Sequence, residues 1–166
     1  MYEHGAAPER HREMQWVSRL TRACEENRLE LYYQPIVAIG KNADKRGHYE
    51  LLLRMRGENG ALVSPAEFIP AAERYNLMPA IDRWVVRHAL GALAHYRSDG
   101  PPEDGYTLSI NLSGTSLNDD RFLEFMISEL QSYDLSPGSV CFEITETAAI
   151  ANLANVVHFM KELRER

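Results

Sequence analysis

The chain has 166 residues, enough for one domain with a substantial core. Hydrophobic residues make up 45% and charged residues 25%, the balance of a globular protein and not of a disordered one. A formal net charge of -6 argues against a broad surface for a DNA or RNA polymer, which needs a basic stripe, yet allows a small phosphorylated ligand whose charge a divalent cation offsets.

The N-terminus, from Met1 to Ala7, lacks a basic segment followed by an apolar run, so no signal peptide is expected. No apolar stretch is long enough to span a bilayer. A cytoplasmic location is the expectation, with any membrane tether carried by a segment outside this chain. From Pro8 to about Asn27, Met14, Val17, Leu20 and Cys24 recur at helical spacing. That helix either packs on the domain or ends a connector from an upstream module. Leu29 to Ile39 is rich in aromatic and β-branched residues and reads as a strand, bulged or unpaired at Pro35. The polar loop from Gly40 to Gly47 is too short for a parallel crossover, so the next strand must return antiparallel.

That next strand, His48 to Arg54, places charge among apolar residues. Alternation puts Glu50, Leu52 and Arg54 on one face and Tyr49, Leu51 and Leu53 on the other. Burying Glu50 and Arg54 is costly unless each finds a partner, a metal or a charged ligand. A buried Glu–Arg pair is the structural alternative. After a turn at residues 56–60, Ser64, Pro65 and Glu67 form a helix start: an N-cap, a proline at the first position and a capping box. The helix runs to about Tyr75, and a longer one spans about Pro79 to Arg97 with Ile81, Val85, Leu90 and Leu93 on its apolar side. His88 and His95 lie on its surface. A loop from Ser98 to Gly105 leads to a strand at Tyr106–Leu112, a helix from about Leu117 to Tyr133, a turn at Ser136-Pro137-Gly138, a strand at Val140–Thr145 and a final helix from Ala148. Strands separated by helices imply βαβ units and a parallel sheet. The two cysteines, Cys24 and Cys141, have no metal-ligand spacing and read as reduced and buried.

Three strands share one pattern. The faces bearing Glu50, then Ser109, Asn111 and Ser113, then Cys141, Glu143 and Thr145, each offer an oxygen donor near the C-terminal end. In α/β folds active sites form at those ends. Glu50, Asn111 and Glu143 are hard oxygen donors suited to Mg²⁺ or Mn²⁺. Arg54 lies ~13 Å along the strand from Glu50, at ~3.3 Å per residue, and would reach a ligand beyond the metal. Each residue also has a structural reading. Asn111 could bond a neighbouring loop, Glu146 could cap one, and Gln34 could satisfy backbone at a bulge.

Five ordered motifs carry a resemblance: Tyr33-Gln34-Pro35-Ile36, Glu50-Leu51-Leu52-Leu53-Arg54, Ser64-Pro65-Ala66-Glu67-Phe68-Ile69-Pro70, Asn111-Leu112-Ser113 and Phe142-Glu143-Ile144-Thr145-Glu146-Thr147. In order and spacing they resemble the EAL domain from about residue 15 to the end. The resemblance divides the chain into an N-terminal tail and the start of a leading or linker helix (1–14) and an EAL domain (15–166) that stops before its C-terminal strands. It implies an α/β, TIM-like (β/α) barrel with an antiparallel first strand, incomplete in this chain. The implied activity is metal-dependent hydrolysis of cyclic di-GMP to linear pGpG. By motif match Glu50, Asn111 and Glu143 would hold Mg²⁺ or Mn²⁺, and Gln34 and Arg54 would contact the dinucleotide. Glu50 and Glu146 would be catalytic, Glu146 by holding a catalytic loop. Two positions depart mildly: Leu51 stands for the signature alanine and Met55 for the usual tryptophan. The family's later Asp-Asp pair, lysine, glutamate and glutamine have no counterpart, so the chain alone is expected to be inactive. The alternative is a catalytically inactive cyclic di-GMP-binding or protein-interaction module. Open sheet edges would favour a homodimer, and a longer parent would add a sensor or GGDEF-type module upstream.

Overall fold

A computed structural model of the chain describes residues 6–39, 46–98, 105–133, 135–145, 150 and 153–165. The expected alternation of strands and helices is present. Strand β1 (Leu29–Ile36) pairs antiparallel with β2 (Gly47–Arg56), as the short loop between them requires. Strands β2, β4 (Tyr106–Leu112) and β5 (Val140–Ile144) run parallel, and the sheet order is β1-β2-β4-β5. Among the described residues the sheet is not closed into a barrel.

A two-residue strand not expected from sequence, β3 (Leu62–Val63), pairs antiparallel with the end of β2. Its partners are Met55 and Arg56, and the pairing of β2 with β4 has already stopped at Glu50 and Ser109. Because β1 still covers Met55 on its other side, β3 takes the edge that β4 has left. Strands β2 and β4 therefore separate just past Glu50, and that split shapes the site described below.

Strand β1 ends at Ile36, and its register passes through Pro35 opposite Tyr49 without the expected bulge. An edge strand accommodates proline wherever its missing N–H would have faced away from the partner.

One face of the sheet is apolar and covered by helices. Helix α1 (Ala6–Glu25) packs on α2 (Pro65–Arg74) through Leu20 and Ala23, both fully buried, and through Trp16, whose ring lies 6.5 Å from that of Phe68. This settles the leading helix's C-terminal half as part of the packed core. Helix α2 starts as expected, with the Ser64 N–H donating to Glu67 Oε1 at 3.2 Å. Asn76, at φ 55, turns the chain into α3 (Met78–Ser98), a left-handed conformation that asparagine tolerates. Helices α3, α4 (Asp120–Ser132) and α5 (Leu153–Arg164) complete the layer, with Val86, Leu90, Phe122, Met126 and Phe159 buried against Ile110 and Leu112 of the sheet. No described helix is long and apolar enough to cross a membrane.

The helix expected from about Leu117 is divided. A short 3-10 turn, Ser116–Asn118, precedes Asp119, whose extended backbone makes it the N-cap of α4. The Asp119 carboxylate accepts from the Arg121 N–H at 3.0 Å and from Arg83 Nη2 at 2.8 Å. The Arg83 guanidinium, chiefly, holds its pKa below the ordinary carboxylate value. Asp119→Ala is expected to lower stability by about 1 kcal/mol through the lost cap, read from urea unfolding. A depressed folded pKa stabilises above the unfolded value, and that stability is lost as pH falls through the folded one. Asp119→Asn, which keeps a capping oxygen, is therefore expected to flatten this part of the acid limb while retaining most of the cap.

Candidate functional site

The second face of the sheet is polar, and register alone brings the candidate residues into a row. Gln34 of β1 lies opposite Glu50 of β2, Glu50 opposite Ser109 of β4, and Asn111 of β4 opposite Glu143 of β5. Because alternate residues of a strand share a face, Gln34, Glu50, Asn111 and Glu143 all project from the same side. The contact that joins the row is direct: Asn111 Nδ2 donates to Glu50 Oε1 at 2.9 Å. With its amide nitrogen committed to a carboxylate, the side-chain oxygen is the atom Asn111 can offer a cation.

The expected Glu–Arg alternative is not what forms. Arg54 Nη1 donates to the Leu53 carbonyl at 2.8 Å, four residues along β2 from Glu50. Glu30 stands opposite Arg54 in the register, but its two carboxylate oxygens go to the fork of Arg56, with Nη2–Oε2 at 2.9 Å. That guanidinium, first through its hydrogen bond, keeps the Glu30 pKa below the ordinary carboxylate value. The pair occupies the one other acid at this end of β1.

Where β2 and β4 separate, a cavity of about 250 Å³ opens, lined in part by Arg54, Glu73, Asp82, Asn111 and Ser113. A larger cavity of about 550 Å³ lies on the helix-covered face by the first residues of β2 and β4, among Tyr33, Tyr49, Tyr96 and Tyr106. Among the described residues no Asp, Glu, Lys, Arg or His lines that second space, whereas Arg54 and Asn111 line the first, and Glu50 and Glu143 do not.

Three findings go beyond the sequence reading. His48 shares the polar face, its Nε2 2.8 Å from Ser109 Oγ, so an imidazole does lie near the oxygen donors. Cys141, opposite Ser109, is exposed and not buried, because it sits on the polar face of an unclosed sheet. Asp82 of α3 is only 3% exposed, and burial, the dominant influence, raises its pKa above the ordinary value against the pull of its hydrogen bonds to Ser113 and Ser116. Its signal was available: Asp82 sits between Ile81 and Val85 in the buried stripe of its helix. Glu146 lies outside the described residues.

The donor set can be weighed against a metal. Among the described residues no group of three His, Cys, Asp or Glu side chains stands ready for an ion. Glu50, Asn111 and Glu143 instead offer two carboxylates and one amide oxygen, all hard donors whose charge matches a divalent cation that retains waters. The residues fit Mg²⁺ or Mn²⁺ by chemistry.

The EAL domain family model matches residues 17–166. Cyclic di-GMP phosphodiesterase PdeB of Shewanella oneidensis is 41% identical over 150 residues, covering 90% of this chain and 17% of that protein. Cyclic di-GMP phosphodiesterase PdeF of Escherichia coli is 36% identical over 149 residues, covering 90% of this chain and 19% of that one. The crystal structure of the FimX EAL domain from Pseudomonas aeruginosa bound to c-di-GMP superposes with a TM-score of 0.79 at 31% identity, covering 90% of this chain and 58% of that chain. The chain thus spans about a fifth of these two curated relatives and over half of the solved domain.

Proposed function

The chain belongs to the EAL domain family, and from that premise we propose that it is the first part of a metal-dependent cyclic di-GMP phosphodiesterase domain. The observation that carries this reading is the hydrogen bond from Asn111 to Glu50 at 2.9 Å, with Glu143 next to Asn111 on the adjoining strand. It ties oxygen donors from separate strands into one ligand set. When bound, Mg²⁺ or Mn²⁺ supplies the polarisation of a phosphoryl oxygen and the acidified water that phosphodiester hydrolysis needs. Glu50, Asn111 and Glu143 hold it. Gln34, opposite Glu50, and Arg54, which lines the cavity, contact the dinucleotide, where a guanidinium suits phosphate. Glu146, outside the described residues, would by the motif match hold a catalytic loop in place.

Binding without hydrolysis is the second reading, and the likeness to an EAL domain solved with c-di-GMP bound supports the binding it shares with the first. One experiment separates the two. The purified chain is titrated with cyclic di-GMP in the presence of Mn²⁺ by calorimetry, and the mixture is followed chromatographically for pGpG. Turnover supports the hydrolase and overturns the expectation that the chain alone is inactive, and saturable binding with no product leaves binding as this chain's own function. A folded chain that does neither sinks both readings.

A further inference from the structure

Asp82 comes from a helix on the opposite side of the sheet, yet it reaches the end of the strand that bears Asn111. Its Oδ2 accepts from the Ser113 N–H at 3.0 Å and from Ser116 Oγ at 2.6 Å. The two serines are also joined to each other. Ser113 Oγ donates to Ser116 Oγ at 3.0 Å, and the Ser116 N–H donates to Ser113 Oγ at 3.2 Å. Ser116 is fully buried, so these bonds lie away from competing water, where a satisfied polar network is rigid and specific. Ser113 is the first residue past β4, two positions after Asn111 and on the same face. The neighbouring Arg83 pins the far end of the same connection through Asp119 at 2.8 Å. One turn of α3 thus fixes both ends of the segment from Ser113 to Asp119.

This matters because the ladder supports the end of β4 from one side only, where Asn111 and Leu112 pair with Glu143 and Ile144 of β5. Pairing between β2 and β4 stops at Glu50 and Ser109, so at the level of Asn111 strand β4 has lost β2 as a neighbour. Asn111 must nevertheless reach Glu50 across that split. We propose that Asp82 is a positioning residue of the site, holding the end of β4 through Ser113 and Ser116 so that Asn111 stays on Glu50. The functional weight of this role rests on the ligand set proposed above, because a site group displaced by about 1 Å loses much of its effect. The positioning itself is read without metal or dinucleotide, so its failure and the failure of that reading are distinguishable.

The test is the Asn111 side-chain amide pair in ¹H–¹⁵N spectra of the labelled chain, assigned by its absence in Asn111→Ala. In Asp82→Ala the pair is expected to shift to the position of an unbonded side-chain amide. In Asp82→Asn it is expected to stay, because both bonds converge on one oxygen that an amide carbonyl replaces. Val86→Ala, a fully buried truncation on the same helix, is expected to lower stability and leave the pair in place. Should Asp82→Ala not fold, Ser116→Ala removes a bond from the loop side and is read in the same way. A pair unmoved in a folded Asp82→Ala or Ser116→Ala chain overturns the proposal. So does one that moves as far in Val86→Ala, or one that Asp82→Asn fails to restore.

Discussion

Replacing Glu50 by alanine is expected to leave the chain folded while removing Mn²⁺ binding at the site and with it any metal-dependent handling of cyclic di-GMP. The fold should survive because Glu50 is half-buried and contributes one hydrogen bond, to an exposed Asn111 that water can satisfy instead. Such a bond is worth about 0.5–1.5 kcal/mol. The loss of metal should be much larger. Outer-shell partners of a bound metal typically cost about 10–100-fold in affinity when removed, and a direct ligand should reach or exceed the top of that range. Glu50→Gln is the sharper variant. Its amide oxygen can still accept from Asn111, so the contact across the split is kept and only the charge is lost. Mn²⁺ affinity, followed by the paramagnetic signal of free ion, should fall as far in Glu50→Gln as in Glu50→Ala. Full affinity in the glutamine variant would mean that Glu50 orders Asn111 and does not bind metal.

The sequence made the sheet legible because its two faces differ so strongly. Leu108, Ile110 and Leu112 alternate with Ser109 and Asn111, and the structure buries Ile110 and Leu112 among helices while Asn111 stays exposed. The antiparallel first pair followed from loop length alone, since so short a loop cannot cross the sheet. What stayed hidden depends on distances between elements. That Glu50 would meet Asn111 depends on how β2 and β4 lie where their pairing ends, and β3, which takes the vacated edge of β2 further on, has two residues, too few to show periodicity. Glu30 looked like any polar residue of an aromatic strand until the fold joined its carboxylate to the Arg56 guanidinium. Asp82 was readable as a carboxylate in an apolar stripe, but its partners lie 31 and 34 residues further along the chain. Pattern predicts burial, and only the fold names the partner.

Phe122→Ala should produce the largest loss of stability of any variant considered. The ring is fully buried on α4 and sits between Phe125 and Phe159, with centroids 5.9 and 6.1 Å away, the second nearly parallel to it. It therefore joins α4 to α5 in the helical layer. On another side the Arg83 guanidinium lies 5.5 Å from its centroid. Truncating a buried phenylalanine to alanine costs about 3–5 kcal/mol through lost transfer energy and the cavity left behind. Against a total stability of about 5–15 kcal/mol, that is a large fraction. In thermal unfolding a domain of this size should lose roughly 6–20 °C. Phe122→Leu, which keeps most of the volume, should cost under about 1.5 kcal/mol. The position of Arg83 gives the variant a second consequence. Arg83 holds Asp119, and Asp119 ends the same connection whose start Asp82 holds, so a collapsing ring site should loosen that segment from its far end. Below its lowered midpoint, Phe122→Ala is accordingly expected to show faster backbone amide exchange at Asp119–Arg121 than Phe122→Leu, with the β1–β2 ladder unchanged. Equal exchange in both would mean that Arg83 keeps its hold on Asp119 without the ring beneath it.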